Sequence, residues 1–419
     1  MLKIGGMNVD QLAKQYKTPL YVYDEGKLRE RLNEYATYFQ SDDFETGVLY
    51  ASKAFSCKAM VKLVQEYGLC LDVVSGGEIY TAKQAGFDMS KAFFHGNNKS
   101  IDEINMALEY GVGTIIVDNL MEAQVLNEMV KDGQKVHALL RVNPGIDAHT
   151  HKYIVTAHVD SKFGVSMTQE KEIVDVIQTF KDNPNISFDG LHAHIGSQIF
   201  DKNAFLAEIE KMFAFMKKLE EEYGIVLNTI DLGGGFAAYY TSEDHPIPLD
   251  EVCSAILSKC KEEKEKLNLS IEKVYIEPGR SIVAEAGSTI YTVGFTKQTP
   301  NKNYVFVDGG MADNIRPALY QAKYNADIAN KMDEEKTVVY TIAGKACESG
   351  DILVEDIALP KCEPRDYLVT YTTGAYGYSM SSHYNKLTTP GVVFVKDGQA
   401  REVIKRETYE HLVSLESDD

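Results

Sequence analysis

The chain has no excess of base, no paired-cysteine motif and no long apolar run, and each absence closes off a class of function. Its 43 Lys and Arg stand against 62 Asp and Glu, a formal charge of -19 over 419 residues. That is the wrong sign for nucleic acid or an anionic membrane surface, both of which need a basic footprint. No apolar stretch approaches the length of a membrane span. The opening MLKIGGMNVDQLAKQY lacks the apolar core of a secretory signal, so none is expected. The six cysteines (57, 70, 253, 260, 347 and 362) form no Cys-x-x-Cys pair and no metal-ligand spacing. They read as reduced thiols of a cytoplasmic protein, and no metal is expected. Repeats, linkers and low-complexity tracts are missing as well, and the tail after Val413 is polar.

What is present is an ordinary globular composition, 44% hydrophobic and 25% charged, with enough apolar residues for a large core. A helix-like VDQLAKQY and a strand-like run at 19–23 come first. A rhythm begins at residue 26. Short apolar runs at 48–51, 71–74, 92–95, 114–117, 135–142, from Leu191, 229–232 and 273–276 alternate with helical periodicity. Eight strands alternating with helices predict a parallel sheet, and eight is the count that closes a (β/α)8 TIM barrel. The predicted fold is therefore α/β, a barrel over 26–281, with an open doubly wound sheet as the competing architecture. From residue 282 the rhythm breaks into strand-like runs separated by Gly, Pro and Asn turns. Residues 282–419 are predicted to form a mostly β domain, sandwich- or barrel-like, completed by the strand within residues 1–25.

The chemistry-bearing residues fall at predicted strand ends, where such barrels build their sites. In HAHIGSQ (192–198), His192 and His194 share one face if the strand continues through them. A packed, hydrogen-bonded pair of core histidines explains that spacing equally well. The seventh strand ends in DLGGGF (231–236) and the eighth in EPGRS (277–281). Consecutive glycines let backbone N–H groups approach a phosphate, and Arg280 adds charge, although a triple glycine can also be only a tight turn. The first strand ends in YASKAF (50–55), where Lys53 is flanked by small and apolar residues. Desolvation there would lower its pKa and leave an amine able to form a Schiff base; a plain surface lysine at the rim is the alternative. An amine facing a phosphate cradle suggests pyridoxal phosphate, with Glu277 as partner of the ring nitrogen and His194 flat against the ring.

With YASKAF, LDVVSGGE (71–78), HIGSQI (194–199), DLGGGF, EPGRS, RPALY (316–320), CESGD (347–351) and GAYGYSMSSHYN (374–385) in this order, the chain resembles the diaminopimelate decarboxylases over nearly its whole length. These are alanine-racemase-like, fold type III enzymes that use pyridoxal 5'-phosphate. The resemblance implies decarboxylation of meso-2,6-diaminopimelate to L-lysine and CO2, the last step of bacterial lysine biosynthesis. It implies that Lys53 binds the cofactor covalently, that His194 stacks on its ring and that Glu277 pairs with its nitrogen. Ser197, Gly234, Gly235, Gly279 and Arg280 would hold the phosphate, helped by Tyr376. Arg280, Arg316, Tyr320 and Tyr376 would meet the substrate's distal carboxylate, Glu348 its distal ammonium, and Cys347 would protonate the reacting carbon. It further implies a homodimer in which Cys347 and Glu348 complete the partner's site. Taken singly, Arg316, Tyr320 and Glu348 read as surface residues and Cys347 as a packed small hydrophobe.

Phe55 departs from the family's usual asparagine, with little effect expected. Arg141 and Lys162, beside a histidine- and threonine-rich stretch at 146–165, are further candidates to approach the cofactor. The rival readings are an ornithine-, arginine- or carboxynorspermidine-type decarboxylase, a racemase on the same scaffold, and a regulator without cofactor. Glu348 argues against the ornithine type, which usually carries aspartate there.

Overall fold

Eight parallel strands close on themselves in the computed structural model, which describes residues 1–146 and 161–417. Most of the histidine- and threonine-rich stretch lies outside the described residues. The strands are β1 (Glu45–Ala51), β2 (Cys70–Val73), β3 (Ala92–Phe94), β4 (Thr114–Val117), β5 (Val136–Asn143), β6 (Ile186–His192), β7 (Thr229–Asp231) and β8 (Lys273–Ile276). Each pairs in parallel with the next, and β8 returns to β1 with Val274 opposite Thr46 and Tyr275 opposite Gly47. That closing pair rules out the open sheet and leaves the (β/α)8 barrel. Strands covered on both faces need continuous apolar runs, which is why they were visible in the sequence. Leu49, Phe93, Ile116 and Leu139 pack together inside with Tyr275, whose ring meets Phe93 edge-on at 5.2 Å.

Local polar chemistry sets the loops at the strands' C-terminal ends. Ser75 caps the helix Gly76–Ala85 by accepting the Glu78 N–H, and Ser100 and Glu103 form a capping box on Ile101–Tyr110. Glu103 also accepts the Gly76 N–H at 2.8 Å, tying the two loops together. The buried Lys99 ammonium donates to Gly96 O, Ile116 O and Glu122 Oε1 at 2.8, 2.7 and 2.6 Å, so each of its three protons has an acceptor.

The chain divides into two units by contact: Leu32–Ala237 with Pro246–Gly279, which holds the barrel, and Met1–Arg31 with Ala238–His245 and Arg280–Asp419. In the second unit the strand Leu20–Asp24 pairs antiparallel with Gly287–Gln298 and parallel with Gly391–Lys396. The sheet continues through Asn303–Val307 and Val338–Ala343 to Ile352–Leu359. Its core joins Leu12, Leu20, Val22, Ile290, Val369, Val393 and Val395. Four strands here, Lys3–Ile4, Met7–Asn8, Ala326–Ile328 and Gln399–Ile404, escaped the sequence pattern, and the run predicted at 352–354 extends to Leu359. Exposed Glu355 and Asp356, the latter bulged at φ +50, interrupt its apolar signal.

The helix Lys202–Tyr223 carries an anomaly on its buried face. Glu208 is fully buried, and neither carboxyl oxygen has a hydrogen-bond partner. Burial pushes its pKa well above the ordinary 4.5, so the folded protein holds the neutral acid. An acid whose folded pKa is raised costs nothing below its unfolded value. It destabilises increasingly as pH climbs from there toward the folded value, because only the unfolded chain ionises. Glu208→Gln should therefore melt higher than the parent by a margin that widens from pH 4.5 to 8 in scanning fluorimetry. A margin independent of pH would contradict the neutral acid.

Candidate active site

The residues singled out in the barrel unit gather at the C-terminal ends of its strands. Lys53 stands on a one-turn 3-10 helix, Ser52–Ala54, directly after β1; Glu277 follows β8. Gly233, Gly234 and Gly235 leave β7, and the close approach here admits nothing larger. A Cβ on Gly234 would lie 2.3 Å from Glu277 O, and Gly235 sits at φ +108 with Ile199 Cδ1 2.6 Å from where its Cβ would be. Ser197 is exposed in the loop after β6, and Gly279 is buried beside Ala51. Phe55 is fully buried, its carbonyl accepting the Tyr50 hydroxyl at 2.7 Å.

The strand β6 ends at His192, and the Ala193 N–H still donates to Asp231 O at 2.9 Å, so His194 lies just past the strand end. His192 Nε2 lies 3.2 Å from Glu277 Oε2, whereas His194 Nδ1 accepts the Gly234 N–H at 3.1 Å. The expectation of a desolvated Lys53 needs correction, because the residue is exposed. Ala51, Ser52, Ala54 and Phe55 are buried, and the one-turn helix leaves the lysine exposed at the barrel mouth. Its charge still reaches the site, pulling Asp72 and Glu78 down and pushing His194 down.

Glu277 is the electrostatic centre. His95 Nε2 stands 2.8 Å from its Oε1 and His192 Nε2 3.2 Å from its Oε2. The two histidines outweigh the burial that would raise it and hold the carboxyl well below its ordinary range. Enclosure by protein pushes His194 well below 6.5, leaving a neutral ring whose Nδ1 is free to accept from Gly234. Behind Glu277, Asp231 Oδ1 accepts the Gly233 N–H at 2.9 Å. Burial, then the Glu277 charge, drives Asp231 well above 3.8, so of this coupled pair Glu277 carries the charge and Asp231 the proton. Burial raises Asp72 to about 6, with His95 3.8 Å away. His95, Asp72 and Asp231 were not picked out from the sequence. Two lie inside quoted motifs, and His95 ends a barrel strand, the same signal that marked the other positions. Together His95, His192 and Glu277 present three ligand atoms within 4.8 Å of one another, a grouping that suits a metal as well as a ring N–H.

In the other unit the arginines are brought together by tyrosines. The Tyr376 ring centre lies 4.9 Å from the Arg280 guanidinium carbon and 5.4 Å from that of Arg316. Tyr320 flanks Arg316 at 5.3 Å, and Arg280 Nη1 donates to the Tyr240 hydroxyl at 2.7 Å. Tyr240 meets Tyr324 edge-on at 5.5 Å, so Tyr240 and Tyr324 join a cluster that the sequence reading did not include them in. Both guanidinium groups are buried while Tyr320 is exposed. Two cations stacked on one aromatic ring form a receptor for a carboxylate. Cys347 and Glu348 stand elsewhere in this unit, exposed on the turn between Val338–Ala343 and Ile352–Leu359. Arg141 is half-buried with its guanidinium 4.5 Å over the Phe163 ring, and Lys162 lies 4.9 Å from the same ring.

Residues 25–284 match the family described as pyridoxal-dependent decarboxylase, pyridoxal binding domain. The chain is 48% identical to diaminopimelate decarboxylase of Bacillus subtilis over 99% of its own length and 95% of that protein's. The crystal structure of diaminopimelate decarboxylase from M. jannaschii superposes with a TM-score of 0.91 at 32% identity, covering 98% of this chain and 94% of that one. The Helicobacter pylori diaminopimelate decarboxylase complexed with L-lysine gives 0.87 at 33% identity, over 98% and 99%.

Proposed function

The chain belongs to the diaminopimelate decarboxylase family of pyridoxal-dependent decarboxylases, and from that premise we propose how its own residues divide the work. It removes CO2 from one end of meso-2,6-diaminopimelate and leaves L-lysine, using pyridoxal phosphate. The observation that carries the assignment of residues is Glu277. Its carboxylate is buried and held ionised between two imidazoles, which is the charge a pyridinium N–H requires beside it. The glycine loop at Gly233–Gly235 and neutral His194 beside it fit the phosphate and the ring face respectively. When bound, the cofactor supplies a protonated ring that accepts the electron pair left as the carboxylate departs.

Each protein group then has a task. Lys53 holds the cofactor's aldehyde carbon through its amine. Gly234, Gly235, Gly279 and Ser197 hold its phosphate, with Arg280 and Tyr376. Glu277 keeps a proton on the ring nitrogen, and His194 packs on the ring. Arg280 and Arg316, spaced by Tyr376 and flanked by Tyr320, take the distal carboxylate, and Glu348 takes the distal ammonium. Cys347 Sγ–H delivers a proton to the carbon that has lost CO2. The exposure of Cys347 and Glu348 supports their being supplied to a second copy, in a homodimer with shared sites. No helix among the described residues is long and apolar enough to cross a membrane, and six free cysteines support a cytoplasmic protein.

The test is CO2 release from meso-diaminopimelate, lysine, ornithine and arginine by the parent and by Glu348→Ala. The parent should act on diaminopimelate alone, since buried guanidinium groups left without a carboxylate penalise the other three. Glu348→Ala should lower kcat/KM on diaminopimelate by about ten- to a hundredfold, the worth of one charged hydrogen bond, with cofactor content unchanged. Release of cofactor by this variant would show that Glu348 has been given the wrong task.

A further inference from the structure

The turn that carries Cys347 and Glu348 is exposed, yet it is anchored from both sides. Beneath it, Asp351 is only 3% exposed and uses every polar group it has. Its Oδ2 accepts the Ala346 N–H at 2.7 Å and its Oδ1 the Met311 N–H at 2.6 Å. Its carbonyl accepts the Gly344 N–H at 3.0 Å, and its own N–H donates to Glu348 O at 3.1 Å. The backbone leaves space for this carboxylate, since a Cβ on Gly344 would fall 2.3 Å from Oδ2. One residue thus ties both ends of the turn to the loop at 309–313.

The apex has a different support. The Cys347 N–H donates to Asn385 Oδ1 at 2.7 Å. Asn385 is itself exposed and sits at φ +54, a left-handed conformation disfavoured for residues with a Cβ, though least so for asparagine and aspartate. Beside it, the Tyr384 hydroxyl donates to Glu348 Oε2 at 3.4 Å. At an exposed apex, water would satisfy the Cys347 N–H at no conformational cost. A residue held in a left-handed backbone with its side-chain oxygen on that N–H restrains the backbone that carries the thiol.

We propose that Asn385 is a positioning residue for the decarboxylation: by fixing the Cys347 backbone it aims Sγ at the carbon to be protonated, on a base held rigid by Asp351. This rests on the reading of Cys347 as proton donor. The Asn385 amide forms no bond in the reaction and moves no proton; it removes freedom from the group that does.

The experiment measures kcat and KM for CO2 release from meso-diaminopimelate by the holoenzyme and by Asn385→Gly, Asn385→Asp and Cys347→Ala. Glycine takes φ +54 without strain, so Asn385→Gly removes the acceptor alone. Aspartate tolerates the same backbone and keeps an oxygen for the Cys347 N–H. The expected result is a kcat about tenfold or more lower in Asn385→Gly, with KM within about threefold of the parent and an unchanged melting temperature. Asn385→Asp should regain most of the loss. If Cys347→Ala is inactive while Asn385→Gly keeps kcat within about twofold, the positioning role is wrong and the proton donor stands. Equal losses in the glycine and aspartate variants also overturn it. An active Cys347→Ala removes the proton-donor reading, and the proposal falls with it.

Discussion

Lys53→Ala will lose the covalently held cofactor and nearly all turnover. Turnover should fall on the order of a thousandfold or more, since removing a covalent partner eliminates a route rather than weakening a contact. Borohydride should fix cofactor to the parent and add its mass to the peptide containing residue 53, and should add none to the variant. A further readout needs no cofactor. The Lys53 ammonium is among the groups that press the His194 pKa down, so in the cofactor-free variant His194 should titrate higher than in the cofactor-free parent. Turnover above about one-tenth of the parent's would overturn the covalent role.

That prediction also marks what could be read from the letters alone. The barrel was legible because parallel strands buried on both faces leave near-continuous apolar runs. Lys53, His194, the triple glycine and Glu277 were legible because they follow such runs. The exposure of Lys53 was not. Small apolar neighbours suggested a buried amine, but Ala51, Ala54 and Phe55 satisfy that pattern by being buried themselves. His95 and Asp231 were missed for another reason. Each is a single polar letter at a strand end, and its meaning comes from Glu277, which pairing of β7 with β8 brings beside Asp231 and closure of β8 on β1 brings beside His95. Tyr240 was likewise invisible as an arginine partner, since the short excursion Ala238–His245 leaves the barrel sequence to join the other unit.

Glu277→Gln will keep the cofactor and lose catalysis, the opposite division from Lys53→Ala. The carboxylate is 7% exposed between His95 Nε2 at 2.8 Å and His192 Nε2 at 3.2 Å, and those imidazoles hold it ionised against the cost of burial. Glutamine preserves the shape and removes the charge. A ring nitrogen facing a neutral amide no longer holds its proton firmly, so the electron pair released with CO2 is less well accepted. The cost should be on the order of a hundredfold in kcat, the scale of removing one preorganised charge contact from an enclosed site, with covalent attachment intact because Lys53 and the glycine loop are untouched. Asp231 supplies the control. It already carries the proton of the pair, and Asn at this position would keep the oxygen that accepts the Gly233 N–H at 2.9 Å. Asp231→Asn changes no charge at neutral pH and should therefore cost far less than Glu277→Gln. Removing the Glu277 charge also removes part of what keeps Asp231 protonated, so Asp231 should ionise more readily in Glu277→Gln and restore some negative charge behind the ring. The double variant should then be less active than the product of the two single losses. Equal costs for the two single variants would place the working charge on Asp231 instead of Glu277.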